Sequence, residues 1–353
     1  MTHRRMFSAL IAVAGLAAVG CSSAPGSSSS SAAGTLSTAG TAATAGTAAT
    51  ASASGVVNLS SVTLNVGDQK GTGAEAVLAA AGLLSSLPFH VSWSEFTSGP
   101  PILEAMASGH VDIGGVGDAP PVFAASGGEP VEIVGARATN GDQDAVIVPK
   151  NSPITSITQL KGKKIAYAAG SSGNYDLLTV LAKAGLTTKD VTLVNLQPAE
   201  ALAAFTSGAV DAWDVWPPYV QQAVAQENAR VLATGGAYGS PYSFEVASKA
   251  AVANPQKAAA IKVYLETLDK AYVWAATHPS AWAVAWGKAA GLPASVMNEA
   301  AKVDATTPIP ITAAISTSEQ NLVDQFYSAG LIPTKVNISG YITTEFNSTV
   351  DGS

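Results

Sequence analysis

Cys21 is the chain's one cysteine, and it closes the run Leu16-Ala17-Ala18-Val19-Gly20-Cys21. Arg4 and Arg5 precede an apolar stretch over 7–19. A basic start, a short apolar segment and small residues before a cut are the parts of a secretory signal. A cysteine just after the cut has the form of a lipobox, whose thiol is acylated, palmitate being one expected chain; the alternative is a buried or reactive thiol. The apolar stretch is too short to span a bilayer comfortably. The mature chain is therefore expected outside the cytoplasm, held to the outer face of the cell membrane by lipid. With Cys21 spent in this way, no thiol, disulfide or cysteine metal ligand remains.

Other chemistry is sparse. Beyond His3 the histidines are His90, His110 and His278, far apart and without metal-ligand spacing. No nucleophile elbow, Walker loop or HExxH helix is present. The sequence calls for no cofactor and favours a binder over an enzyme. A formal net charge of −7 and the lack of a basic cluster after the signal argue against a nucleic-acid partner. Arg137 and Arg230 are the two arginines beyond the signal, so an anion held here must rely mostly on backbone amides, hydroxyls and helix ends.

Three turns rich in small residues could hold an anion in this way. They are Gly67-Asp68-Gln69-Lys70-Gly71-Thr72-Gly73, Gly117-Asp118-Ala119-Pro120-Pro121 and Gly170-Ser171-Ser172-Gly173. Gln69 offers a neutral donor and acceptor, against the alternative of an exposed loop glutamine. Ser171 and Ser172 stand where a helix begins and either cap it or hold an anion. Asp118 reads first as a cap, since its charge repels an anion unless so engaged. A fourth segment, Trp213-Asp214-Val215-Trp216-Pro217-Pro218-Tyr219, carries two indoles; Trp213 reads as core and Trp216, in a loop, as a pocket wall.

The elements that must position these turns show an internal echo. A strand near 91–96 leads through Pro100 and Pro101 into a helix that stops at Ser108-Gly109, then Val111-Asp112; a strand near 191–196 leads through Pro198 into a helix that stops at Ser207-Gly208, then Val210-Asp211. Upstream, strands over 62–66 and 164–167 each run through a glycine turn into a helix. Two copies of β-α-β-α-β imply α/β sheets with parallel pairing and two similar lobes. Ligands in such sheets sit at the carboxyl ends of the strands, which is where the three turns lie. Hydrophobic residues at 47% and charged residues at 12% supply material for both cores. Residues 22–54 are almost entirely Ser, Ala, Gly and Thr, and read as a flexible tether.

These motifs in this order resemble the substrate-binding proteins of ABC importers, in the aliphatic sulfonate, taurine and nitrate branch, and are most similar to the aliphatic sulfonate-binding lipoproteins. The resemblance spans about 64–341 and also rests on Glu95-Phe96-Thr97-Ser98-Gly99-Pro100, Asn151-Ser152-Pro153-Ile154 and Leu160-Lys161-Gly162-Lys163-Lys164. It implies a two-lobed periplasmic-binding-protein-like fold of type II, with a ligand cleft between lobes joined by two crossing strands, near 137–148 and 238–245. It assigns 1–20 to the signal, 21–56 to the tether, 57–144 with 243–353 to lobe one and 145–242 to lobe two, with helices over 255–278 and 316–329 on lobe one. The implied ligand contacts are Gln69, Gly117, Asp118, Ala119, Ser171, Ser172, Trp213, Asp214 and Trp216, with Arg137 at a crossing, and a ligand tail against Trp216 and Tyr242 or Phe244. The implied partners are a small sulfonate and an ABC permease, with the protein a monomer. Nitrate, another small anion or a thiamine pyrimidine are the alternative ligands, and a non-transport sensor or a same-fold enzyme the alternative classes. Such proteins commonly have Trp-Asp-Pro-Tyr where this chain has Trp216-Pro217-Pro218-Tyr219, and a small apolar residue in place of Asp214. An Asp214 facing the cleft would favour an amine-bearing ligand such as taurine.

Overall fold

The computed structural model describes residues 58–70, 73–236 and 239–350. Cys21, the signal and the tether lie outside them, as do Gly71, Thr72 and Tyr238. The first unit is β1 (Thr63–Gln69), α1 (Ala74–Ala80), β2 (His90–Phe96), α2 (Gly99–Ala107) and β3 (Ile113–Val116), followed by α3 (Ala119–Gly127) and β4 (Val131–Ala138). The segment 139–144 leads to β5 (Ala145–Pro149). The second unit is β6 (Lys164–Tyr167), α4 (Ser172–Lys183), β7 (Thr192–Asn195), α5 (Pro198–Thr206) and β8 (Ala212–Val215), followed by α6 (Tyr219–Gln226) and β9 (Ala229–Thr234). The chain returns through 235–241 to β10 (Tyr242–Ser248). It finishes with α7 (Lys249–Ala253), α8 (Pro255–Thr277), α9 (Pro279–Ala290), α10 (Ala294–Val303), β11 (Thr307–Ile309) and α11 (Ala313–Ser328).

Two sheets result, ordered β11-β4-β10-β3-β1-β2 and β7-β6-β8-β5-β9. In one, β1 pairs in parallel with β2 and β3; in the other, β6 pairs in parallel with β7 and β8. Each sheet then takes a strand from beyond its own unit: β10 lies antiparallel between β3 and β4, and β5 antiparallel between β8 and β9. The two lobes are thus joined by two exchanged strands. The segments leading to them touch, the Thr139 amide donating to the Pro241 carbonyl at 2.7 Å.

Local chemistry explains the echo. Prolines open α2 and α5, where a missing N–H costs nothing. Both helices end in the same motif. Gly109 and Gly208 adopt φ of 78° and 74°, and paired backbone bonds close the last turn: Gly109 to Met106 with His110 to Ala105, and Gly208 to Phe205 with Ala209 to Ala204. The repeated aspartates also act alike. Asp112 accepts from the Asn65 amide and Asp211 from the Lys164 amide, each at 2.9 Å, so each carboxylate extends the ladder between the first and third strands of its sheet.

The largest core lies between the six-stranded sheet and α1, α8, α9 and α10. It holds Tyr264 and the stacked pair Trp282–Trp286, whose ring centroids are 5.3 Å apart. A separate apolar cluster joins the lobes: Tyr175 of α4 packs on Phe326 of α11 with centroids 5.7 Å apart, and its hydroxyl accepts from Gln325 Nε2 at 3.0 Å. Gln197 Oε1 accepts from Thr97 Oγ1 at 2.9 Å and from Ser98 Oγ at 2.8 Å, linking equivalent ends of β2 and β7.

Candidate ligand-binding site between the lobes

A cavity of about 370 Å³ opens where the carboxyl ends of both sheets converge. Six helices bring their N-termini to it, through Ala74, Gly99, Pro120, Ser172, the Trp216-Pro217 turn and Pro279. First-turn amides have no acceptor within their own helix, so each such end is a potential anion seat. Two of these ends are already spent on carboxylates. At α1, Asp68 Oδ1 accepts from the Ala74 amide at 2.8 Å and Oδ2 from the Glu75 amide at 3.1 Å. At α3, Asp118 accepts from the Ala119 amide at 2.7 Å, and the next two residues are prolines without N–H. Pro100 and Pro101 remove donors from α2, as Pro217 and Pro218 do ahead of α6. The α4 end differs: its cap is the neutral hydroxyl of Ser171, which accepts from the Asn174 amide at 3.3 Å and donates to the Ala168 carbonyl at 2.7 Å. Ser172 and Gly173 follow, with non-proline amides and no carboxylate upon them.

The rest of the wall falls into three faces. Beside Ser172 stand Gln69, whose Nε2 donates to the Gly115 carbonyl at 2.9 Å and keeps a second N–H, and the half-buried Trp216. An apolar face is built by Ala275, Ala276, Pro279 and Trp282. The third face is charged: Arg137, Asp144, Lys302 and Asp304. Arg137 is buried, donates from Nη1 to Glu245 Oε1 at 2.5 Å, and lies 4.3 Å above the Tyr272 ring; its Nε has no partner. Burial pushes the Asp144 carboxyl up to about 6, against a hydrogen bond from Ser172 that holds it down. Burial also pushes Asp304 up to about 7, with Arg137 opposing and Asp144 reinforcing the rise. Asp68 is likewise lifted to about 6 by burial, despite its three backbone donors.

Matches to known proteins fit this geometry. Residues 97–281 match the family described as NMT1/THI5 like. An aliphatic sulfonates-binding protein of Escherichia coli (strain K12) is 35% identical over 284 residues, covering 79% of this chain and 88% of that protein. The chain belongs to this family. Two solved relatives share the fold. The alkanesulfonate-binding protein SsuA from Xanthomonas axonopodis pv. citri, bound to MOPS, superposes with a TM-score of 0.75 at 30% identity, over 80% of this chain and 99% of that one. The periplasmic aliphatic sulphonate binding protein SsuA from Escherichia coli gives 0.70 at 34% identity, over 80% and 92%.

The residues singled out from the sequence divide within this fold. Gln69, Gly117, Ser171, Ser172, Trp216 and Arg137 line the cavity. Gly117 allows the lobes to approach, since a Cβ there would lie 2.8 Å from the Ser172 Cβ. Asp118 lines instead a smaller cavity of about 50 Å³ next door. Ala119 is fully buried in the cluster that joins the lobes, because the first helical residue turns its methyl inward. Trp213 is core, packed with Phe205 in the second lobe. Asp214 does not face the cleft: it is fully buried behind α4, close against Gly173 and Asp176. Burial and the neighbouring Asp176 push its carboxyl far up, so the pair holds a proton. Phe244 is fully buried, and Tyr242 lines the smaller cavity. The sequence reading missed Gln143, Asp144 and Asp304. The first two lie in the crossing segment, where no motif marks them. Asp304 ends α10, far along the chain from the turns it joins.

Proposed function

We propose that this chain is the extracytoplasmic solute-binding protein of an ABC importer, and that it captures an aliphatic sulfonate between its lobes and delivers it to the permease without turnover. Lobe one is taken as 57–144 with 243–353 and lobe two as 145–242. One observation carries the reading: the α4 end brings Ser172 to the cavity with a first-turn amide that neither a proline nor a carboxylate takes, beside Gln69 and Trp216. A sulfonate is ionised at all working pH and tetrahedral, so it accepts several hydrogen bonds and needs no proton transfer from its site. The Ser172 amide, the second N–H of Gln69 Nε2 and the Trp216 indole are its donors, and fixed dipoles of this kind strengthen as closure excludes water. The alkyl part runs along Ala275, Ala276 and Trp282. The family's sulfonate-binding relatives support the head group. Lipid attachment at Cys21 and a monomeric state complete the proposal.

Titration of the full chain with alkanesulfonates, nitrate, sulfate and a thiamine pyrimidine tests it. A sulfonate at a hundred times its Kd should add about 2.7 kcal/mol of stability, read as a rise in Tm. A rise with nitrate or the pyrimidine and none with any sulfonate would contradict the head-group assignment.

A further inference from the structure

Behind the α4 end lies a pair of acids that capture of the anion does not use. Asp214 of β8 is fully buried on the face of the sheet that carries α4, level with Val146 of β5. Its carboxyl rests against the second residue of α4: a Cβ at Gly173 would stand 3.0 Å from Asp214 Oδ1. Asp176, one turn further along α4, is only 4% exposed. No N–H or hydroxyl among the described residues donates to either Asp214 oxygen or to Asp176 Oδ2. The two carboxyls bond each other instead, and such a bond needs a proton between them.

The surroundings hold that proton in place. Burial raises both acids, and Asp144 in the crossing segment reinforces the rise at each. The Gly235 amide and Lys183 oppose it at Asp176, which still stands at about 8. Lys183 is itself bonded to the carbonyls of Thr234 and Gly235, and Asp142 accepts from Thr234 Oγ1 at 2.7 Å. Asp118 at the start of α3 is raised by burial first, and Asp176 adds to it. The ligand cavity's other charges, Arg137, Lys302 and Asp304, are carried by β4 and the end of α10, and Lys302 bonds Glu299 at 2.6 Å.

A sulfonate at the Ser172 amide is separated from Asp214 by Gly173. Full ionisation of the pair places a second negative charge behind that seat, in a medium that screens it poorly. We propose that the Asp214–Asp176 pair supports the α4 seat by holding its shared proton while the anion is bound, and that loss of the proton weakens the seat. This rests on the sulfonate reading above. Neither acid touches the ligand; both are positioning residues that act through the first turn of α4. Protonation favours the anion, so binding takes up protons, and affinity is full below the pair's titration and falls as pH rises through it.

Butanesulfonate tests this, because it is ionised throughout and any pH dependence of its binding belongs to the protein. In calorimetric titration of the full chain, its affinity should fall on the order of ten-fold from pH 7.5 to pH 9.5. Asp144 at about 6 and Asp304 at about 7 titrate below that range. Titration at pH 8 in two buffers of different ionisation enthalpy should show proton uptake. In Asp214→Asn, and separately in Asp176→Asn, an amide takes the proton's place and cannot ionise, so most of the fall should disappear. A flat wild-type affinity without proton uptake, or a fall just as large in both variants, would overturn the proposal and leave the sulfonate reading in place. No butanesulfonate binding to the wild-type chain at pH 7.5 would overturn both.

Discussion

The two lobes are built on one plan and spend it differently. Each has a β-α-β-α-β unit, the same proline-to-glycine helix, the same aspartate clamp and one strand borrowed from the other side. Lobe one closes its first helix end with a carboxylate, Asp68, and lobe two closes the matching end with a hydroxyl, Ser171. After the third strand, lobe one places Gly117 where lobe two places Trp216. One lobe thus supplies room and acid, the other amides and an indole wall. A repeated scaffold fixes where turns meet, and the turn residues alone decide what each lobe gives the ligand.

The sharpest way to break this asymmetry is to remove the room. Gly117→Val should leave both lobes folded but prevent closure, because its side chain would overlap Ser172. Sulfonate affinity should fall on the order of a hundred-fold, or about 2.7 kcal/mol, in calorimetric titration. Unchanged affinity would show that the lobes do not close here.

The twin aspartates compare the scaffolds themselves. Asp112 is buried and also bonded to Lys257 Nζ at 2.6 Å, whereas among the described residues Asp211 makes no ion pair and keeps the backbone bond. Asp112→Ala should cost about 2 kcal/mol in urea unfolding and Asp211→Ala about 1 kcal/mol. Equal costs would mean that the lysine contributes nothing.

Acid in the cavity should also be visible in the ligand-free chain. Asp68 and Asp144 at about 6 and Asp304 at about 7 all stand above the ordinary carboxylate value of 3.8. Folding therefore takes up protons at these sites. Their contribution is full below about pH 4 and is lost as pH rises through 6 to 7. Tm of the free protein should be a few degrees higher at pH 5.5 than at pH 8, and Asp304→Asn should flatten the difference. A Tm that rises over that range would contradict the picture.

The smallest effect is expected at the Gln197 link between the lobes. Gln197→Ala removes two acceptor contacts made across the lobes and should weaken sulfonate binding only a few-fold, about 1 kcal/mol, through faster dissociation. A change confined to the association rate would argue against a latch.

What the sequence revealed, and what it hid, follows from the range of each interaction. Ser171 as a cap, the proline starts and the glycine stops were readable because capping is settled within four or five residues. The echo was readable because both copies use those same local signals. Asp214 misled because β8 is buried on both faces, all four of its residues being inaccessible, so alternation along the strand carried no information on facing. Asp144 and Asp304 were invisible because they become neighbours only when a crossing segment and a C-terminal helix fold against the same cleft. Phe244 failed as a tail contact for the reason Asp214 did: a central strand covered on both sides.

The most direct test is a crystal structure of the chain with butanesulfonate. The sulfonate oxygens should lie within hydrogen-bond distance of the Ser172 amide and Gln69 Nε2, with the alkyl chain toward Trp282. A sulfonate found instead on Arg137, displacing Glu245, would contradict the assignment of the anion to the α4 helix end.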